Sequence, residues 1–210
     1  MDNFIKIYVY TKYKGGIKLE KIEELKEQMQ KDVLNSIYKE KKLVFGEGFF
    51  QAKLFMIGEA PGGEEEKQGH PFVGKAGKNL NEFLEIVELK REDIYISNVV
   101  KLRPTTINAK TGRIVNRAPN KKEIQFFLPY LKKELELIQP SLIVTLGNVP
   151  LKAVMEDDTL SIGNVHGTIL KNKEKNIFPL YHPASIIYNL DLKETYYQDL
   201  NKLKQQLLCI

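Results

Sequence analysis

Four short apolar runs recur along this chain, and the stretches between them carry helical spacing. The runs are residues 54–57 (Leu-Phe-Met-Ile), 94–99 (Ile-Tyr-Ile-Ser-Asn-Val), 142–146 (Leu-Ile-Val-Thr-Leu) and 177–180 (Ile-Phe-Pro-Leu). Each is too short for a helix and reads as a buried strand. Residues 76–88 place Leu80, Phe83, Leu84 and Val87 on one helical face. Residues 119–138, 150–155 and 193–208 also read as helices, with Pro119 suiting a first-turn position. Ahead of the first strand, Ile22, Leu25, Met29, Val33 and Ile37 define an amphipathic helix over residues 20–39. Such alternation predicts an α/β fold, a mostly parallel sheet flanked by helices. Residues 4–10 are β-prone and are expected to form an edge strand or an arm within residues 1–18.

The chain has 210 residues, 42% of them apolar, enough for one domain with a sizeable core. No apolar run approaches the ~20 residues that span a bilayer. The N-terminus lacks the pattern of a secretory signal. The single cysteine, Cys209, excludes an internal disulfide and a cysteine-rich metal site. The expectation is a cytoplasmic monomer with no membrane partner. The net charge of +5 hints at a polyanion, and its distribution says more. Lys101, Arg103, Lys110, Arg113, Arg117, Lys121 and Lys122 follow one another with no acidic residue among them. A solvated surface is the plain reading, but the run begins at a strand end and includes a 16-residue polar segment, 103–118, without clear period. Long loops in small domains are usually functional, so a phosphate-facing role is favoured.

In parallel sheets ligands bind at the carboxyl ends of the strands. Gly58-Glu59-Ala60-Pro61-Gly62 follows the first strand and offers backbone N–H groups at close range, but lacks the Lys-Ser/Thr of a phosphate loop. Phe72, set among glycines in Gly69-His70-Pro71-Phe72-Val73-Gly74, is either a stacking platform or a plug for its loop. Asn98 ends the second strand. It either caps a turn or presents a donor and an acceptor side by side, as reading a nucleobase edge requires. His182 follows the fourth strand in Tyr181-His182-Pro183-Ala184, and either packs as a structural residue or donates to a developing anion. His70 and His166 read as surface or loop residues.

Taken in order, these segments resemble the uracil-DNA glycosylase superfamily, most closely its family 4, from about Val44 to Leu203. The resemblance also rests on Val44-Phe45-Gly46-Glu47-Gly48, Asn98-Val99-Val100-Lys101 and Val144-Thr145-Leu146-Gly147. It implies an α/β/α sandwich around a four-stranded parallel sheet and hydrolysis of the bond joining uracil to DNA. Phe72 would stack on a flipped-out uracil, Asn98 would bond its O4 and N3–H edge, and His182 would stabilise charge on O2. The backbone of Gly58, Ala60 and Gly62 would hold the far side of the ring. Glu59 or Glu65 would guide water or stabilise the sugar cation. Lys101, Arg103, Arg113 and Arg117 would meet phosphates, and Ser185, Ile186, Ile187 and Tyr188 would wedge into the vacated stack.

Three departures from the family pattern stand out. Family-4 enzymes usually bind a [4Fe–4S] cluster through four cysteines. Here Leu102 and Phe127 occupy two of those positions, and the N-terminal pair falls near Lys31 and Leu34. Leu and Phe cannot replace thiolates, so no cluster is expected. Ala60 stands where some branches carry a water-activating Asp. Residues 104–118 form an insertion in which Asn116 lies near the position of a sugar-trapping histidine in a related branch. Asn116 is a poor nucleophile, so turnover without a stable adduct is expected. The competing reading is a nucleic-acid-binding relative that lost catalysis; a nucleotide hydrolase is disfavoured for want of a metal-ligand cluster.

Overall fold

The computed structural model describes the backbone of residues 2–189 and 191–208. The side chains of residues 2–15, Ile187 and Tyr188, and all of Cys209, lie outside the described residues. The first elements are α1 (Asp2–Leu34), β1 (Glu47–Gly48), β2 (Leu54–Gly58), α2 (Gly63–Gln68), α3 (Lys75–Ile86) and β3 (Tyr95–Asn98). A hairpin of β4 (Thr105–Ile107) and β5 (Ile114–Asn116) precedes α4 (Lys121–Ile138) and β6 (Leu142–Leu146). The chain continues through α5 (Asn148–Met155), α6 (Ile162–Val165), β7 (Leu170–Asn172), β8 (Lys175–Leu180), α7 (Ser185–Tyr188) and α8 (Leu192–Leu207).

The four expected strands form the centre of the sheet in the order β3-β2-β6-β8, all parallel. Successive side chains along β2 alternate between two cores. Phe55 and Ile57 join Ile22, Met29, Phe127 and Leu131 from α1 and α4, whereas Leu54 and Met56 join Leu80, Phe83, Leu200 and Leu203 from α3 and α8. Every residue of β2, β3 and β6 is buried, as a sheet covered on both faces requires. The sheet has six strands, not four, because β1 and β7 add antiparallel edges. Both are only two or three residues long and partly polar, short edges of the kind that discourage pairing with another chain.

Three further differences have local causes. Residues 4–10 continue α1 rather than forming an edge strand, so their β-propensity yields to the helix that follows. The amphipathic helix ends at Leu34, and Ile37 is exposed. The Ser36 hydroxyl donates to the Val33 carbonyl and accepts from the Tyr38 N–H, drawing the chain into a turn. Pro119 stands before α4, not within its first turn, because Asn120 caps the helix reciprocally with Glu123.

Of the positions assigned to cluster cysteines, Lys31 and Leu34 at the end of α1 are exposed, whereas the other two are closed in apolar packing. Leu102 and Phe127 are both fully buried in one core, and Leu43 pairs with Leu102 in an antiparallel bridge. The Tyr38 ring packs on Phe126 at 5.2 Å and Phe127 at 6.3 Å, and the Tyr130 hydroxyl bonds Asp32 on α1. Phe127→Ala should therefore destabilise the fold by about 3–5 kcal/mol in denaturant unfolding. A loss below about 1 kcal/mol would show that this region does not brace α1 against α4.

Candidate functional site

Parallel pairing delivers the carboxyl ends of β2, β3, β6 and β8 to one edge of the sheet. Gly58 lies opposite Asn98, and Leu146 lies opposite Leu180. Beyond the paired residues the Val99 N–H donates to the Gly58 carbonyl at 2.9 Å and the Val100 N–H to the Glu59 carbonyl at 3.0 Å. A cavity of about 290 Å³ opens at this edge. Ala60, Gly62, Phe72, Asn98 and His182 line it, together with Glu65 and Asn116. It lies at the small end of ligand pockets and suits a single planar ring.

Phe72 combines both roles weighed for it. Its side chain is 5% exposed and belongs to a core, yet it also forms a wall of the cavity. A methyl group added at Gly58 would stand 2.4 Å from the tip of the Phe72 ring and 2.4 Å from Asn98 Oδ1, so no side chain fits there. Phe72 adopts φ = 54°, a left-handed conformation that costs a bulky residue energy. Arg91 holds that conformation by donating to the Phe72 carbonyl at 3.1 Å and to the Pro71 carbonyl, and it is itself paired with Glu47 at 3.2 Å.

Glu65 is a brace. Its carboxylate accepts backbone N–H bonds from Gly62 at 3.1 Å, Val73 at 3.1 Å and Gly74 at 2.8 Å. It therefore fastens the turn after β2 to the Phe72 loop, and both its oxygens are engaged. Glu59 is half-buried and lies outside the cavity lining; burial raises its carboxyl above the usual range.

Asn98 is 3% exposed, and its backbone carbonyl accepts from Lys101 Nζ at 2.6 Å. Lys101 also donates to Ser97 Oγ at 2.6 Å and to Glu134 at 2.7 Å. Lys101 is fully buried, so it cannot meet phosphate, and the expectation that it binds DNA is overturned. Burial pulls its ammonium below the ordinary range and Glu134 opposes that pull. The charge is used internally, to fix the end of β3.

His182 faces Phe72 with ring centroids 6.1 Å apart and planes 29° from parallel. The Ala184 N–H donates to His182 Nδ1 at 3.1 Å, which leaves the proton of a neutral ring on Nε2. Burial lowers the imidazole to about 4, with Glu65 pulling the other way, so the ring is neutral near pH 7. Asn79 of α3 anchors the following turn by donating to the Pro183 carbonyl at 3.0 Å. Glu64 and Lys75 also line the cavity, and beside them the site offers an uncharged donor, a carboxamide edge and an aromatic face.

The remaining expected contacts divide. Arg117 is bonded to Glu123 through two bonds of 2.7 Å and to the Thr105 carbonyl, so it braces the hairpin while a third of its side chain stays exposed. Arg103 bonds Asn116 at 2.7 Å and Glu66 at 3.1 Å at the rim of the cavity. Arg113, Lys110, Lys121 and Lys122 are exposed. Ile186 is buried against α8 residues, not held out as a wedge, and Ser185 bonds back to the His182 carbonyl at 2.6 Å. The expected wedge side chains of Ile187 and Tyr188 lie outside the described residues. His166 is no simple loop residue: it is one-quarter exposed and bonded to buried Asp199 at 2.5 Å. Sequence reasoning missed Arg91, Glu47 and Glu134. Only Glu134 carried a signal, a charge on the buried face of α4 beside Leu131 and Leu135.

Comparison with known proteins bears on this geometry. A family model described as the uracil DNA glycosylase superfamily matches residues 45–203. A type-4 uracil-DNA glycosylase of Sulfurisphaera tokodaii is 40% identical over 168 residues, covering 76% of this chain and 72% of that protein. Its counterpart in Thermotoga maritima is 35% identical over 165 residues, covering 77% and 81%. A DNA polymerase of Bacillus phage SP01 is 31% identical over 155 residues, 73% of this chain and 15% of that protein. Among solved structures, Pedobacter heparinus SMUG2 shares the fold with a TM-score of 0.54 at 19% identity, covering 76% of each chain.

The buried Lys101–Glu134 pair generates a stability prediction. Lys101→Met should cost about 3–5 kcal/mol in denaturant unfolding, since it strands a buried carboxylate. Lys101→Met combined with Glu134→Leu should recover most of that loss. A double variant as unstable as the sum of the two single variants would contradict the pairing.

Proposed function

The chain belongs to the uracil DNA glycosylase superfamily, and from that premise we infer that its cavity receives a uracil turned out of DNA and hydrolyses the N-glycosidic bond. It is a uracil-DNA glycosylase, producing free uracil and an abasic site. The observation that carries the assignment of the site is the convergence of Phe72, Asn98 and His182 on one cavity of ring size. A relative that had lost catalysis would have no need of all three there. The likeness to a stretch of a phage DNA polymerase supports DNA as the partner.

Each residue then has a task. Phe72 stacks on the pyrimidine face. The Asn98 carboxamide accepts from uracil N3–H and donates to O4, a pairing that cytosine cannot reproduce. The backbone at Ala60 and Gly62 closes on the ring from the lining, while Gly58, outside that lining, lets the Phe72 ring and the Asn98 carboxamide come close together. As the C1′–N1 bond breaks, its electron pair leaves with the base and the charge spreads onto O2. The His182 Nε2–H donates to that oxygen without itself being charged, and burial strengthens the bond. Water adds to C1′, and its proton balances the charge of the departed uracil. Glu59 is half-buried outside the cavity, so Glu65, in its lining and held by three N–H groups, is the carboxylate of this turn assigned to steady the cationic sugar. Arg103 and Arg113 meet the DNA backbone, the first at the rim of the cavity and the second at the hairpin.

The [4Fe–4S] cluster usual in family 4 does not fit this chain. Two of its ligand positions hold fully buried Leu102 and Phe127, and the 210 residues contain one cysteine. Apolar packing between α1 and α4 takes over the bracing, and no step of the reaction is routed through iron. The purified protein should contain no stoichiometric iron and no visible absorption band; either would contradict this reading.

Removing a prealigned donor of this kind typically slows a reaction about 10²–10³-fold. His182→Ala should slow single-turnover uracil release by at least about 10²-fold, and Asn98→Ala should abolish preference for uracil over cytosine. Because His182 titrates near 4, its charge does not change between about pH 5.5 and 8. The wild-type single-turnover rate should be flat there. An inflection near pH 6.5, the ordinary imidazole value, would show that His182 is not held neutral by burial.

A further inference from the structure

The segment expected to be structureless, residues 103–118, is a hairpin, and its outer end has a composition that folding does not explain. Ile107 and Ile114 are cross-strand partners, and they are 70% and 65% exposed. Two β-branched side chains paired in water contribute little to the core, and an exposed apolar pair of this kind marks a contact surface.

The hairpin is built to hold that pair still. Asn108 Oδ1 accepts from the Lys110 and Thr111 N–H groups, the Asn108 N–H donates to the Arg113 carbonyl, and Gly112 takes φ = +65° to close the turn. At the base, Arg117 bonds the Thr105 carbonyl and Glu123, and Lys41 reaches Thr105 Oγ1 at 3.3 Å.

Register fixes the direction of the pair. Thr105 pairs with Asn116, Thr106 with Val115 and Ile107 with Ile114. Side chains two apart on a strand share a face, so Ile114 and Ile107 emerge on the same face as Asn116. Asn116 lines the cavity. At ~3.3 Å per residue, the isoleucine pair stands about 7 Å along the hairpin from the Thr105–Asn116 pair, close to two base-pair steps of DNA. Lys110 and Arg113 flank the turn, both exposed, and no acidic residue occurs between Lys101 and Lys122. An exposed apolar pair beside a turn that carries Lys110 and Arg113 and no acidic residue matches a stacked polyanion.

We propose that the β4–β5 hairpin is a duplex-engaging wedge, in which Ile107 and Ile114 press on the base stack beside the extruded nucleotide while Lys110 and Arg113 take the adjoining phosphates. Apolar side chains that unstack neighbouring bases work in this way elsewhere. The wedge helps to open paired DNA and has no stack to enter on an isolated strand. The inference rests on uracil-DNA glycosylase activity for its purpose, and its test separates the two.

The test compares wild type with the double variant Ile107→Ser, Ile114→Ser, using Thr106→Ala on the opposite face as control. Affinity is read by fluorescence anisotropy on a duplex and a single strand, each carrying a tetrahydrofuran abasic analogue. Uracil release is read on matching uracil substrates. Because both isoleucines are exposed, melting temperature should not change. The double variant should lose about tenfold in duplex affinity and in duplex release, with single-strand values within about twofold of wild type and the control unchanged. Unchanged duplex values, or equal losses on duplex and single strand, would overturn the wedge. Wild-type protein that releases no uracil from either substrate would overturn the assigned activity, while the affinity comparison would still decide the hairpin.

Discussion

Everything at the site turns on the missing side chain of Gly58. At the end of β2 the backbone comes so close to the Phe72 ring and the Asn98 carboxamide that a single added carbon would sit 2.4 Å from each. That closeness brings the Phe72 ring and the Asn98 carboxamide, the proposed stacking face and hydrogen-bonding edge, together at one end of the sheet. Parallel register places Gly58 opposite Asn98. Gly77, in the first turn of α3, allows the Phe72 carbonyl to come within 1.9 Å of where its own Cβ would be. Phe72 is therefore confined between two glycine backbones, which explains how an aromatic residue persists with a left-handed backbone at the wall of a cavity.

Charge is arranged around this contact, and Glu64, Glu65 and Lys75 bring it to the cavity wall. Lys101 and Glu134 neutralise each other behind Asn98, and Glu65 spends its carboxylate on three backbone N–H groups. Arg91 does the same for the carbonyls of Pro71 and Phe72. The imidazole left facing the ring is desolvated and neutral. On the proposed function, such a site would bind the base and stabilise the anion formed on cleavage, which is the differential that accelerates a reaction. A permanently charged donor would bind ground-state dipoles strongly as well and gain less.

The central strands, the helices beside them and the cavity trio were legible in the sequence because each left a local signature. Apolar runs marked β2, β3, β6 and β8, and Phe72, Asn98 and His182 stood at or between their ends. Edge strands β1 and β7 left no such mark, being two or three residues of mixed polarity. The hairpin was hidden because its strands are three residues each and its register depends on the Asn108 turn. Lys101 misled most. A lysine in a basic run looks like a phosphate ligand, and only the buried partner on α4, 33 residues away, shows otherwise. Glu65 likewise reads as acid chemistry until its three backbone donors are seen.

The most direct test of the account is an NMR titration of the protein with free uracil and with 3-methyluracil, following the Asn98 side-chain amide and the Phe72 ring protons. The account predicts that uracil shifts both sets of signals at pH 7 while 3-methyluracil, which lacks the N3–H donor, leaves the amide unmoved. Equal responses to the two ligands, or shifts confined to residues outside this cavity, would contradict it.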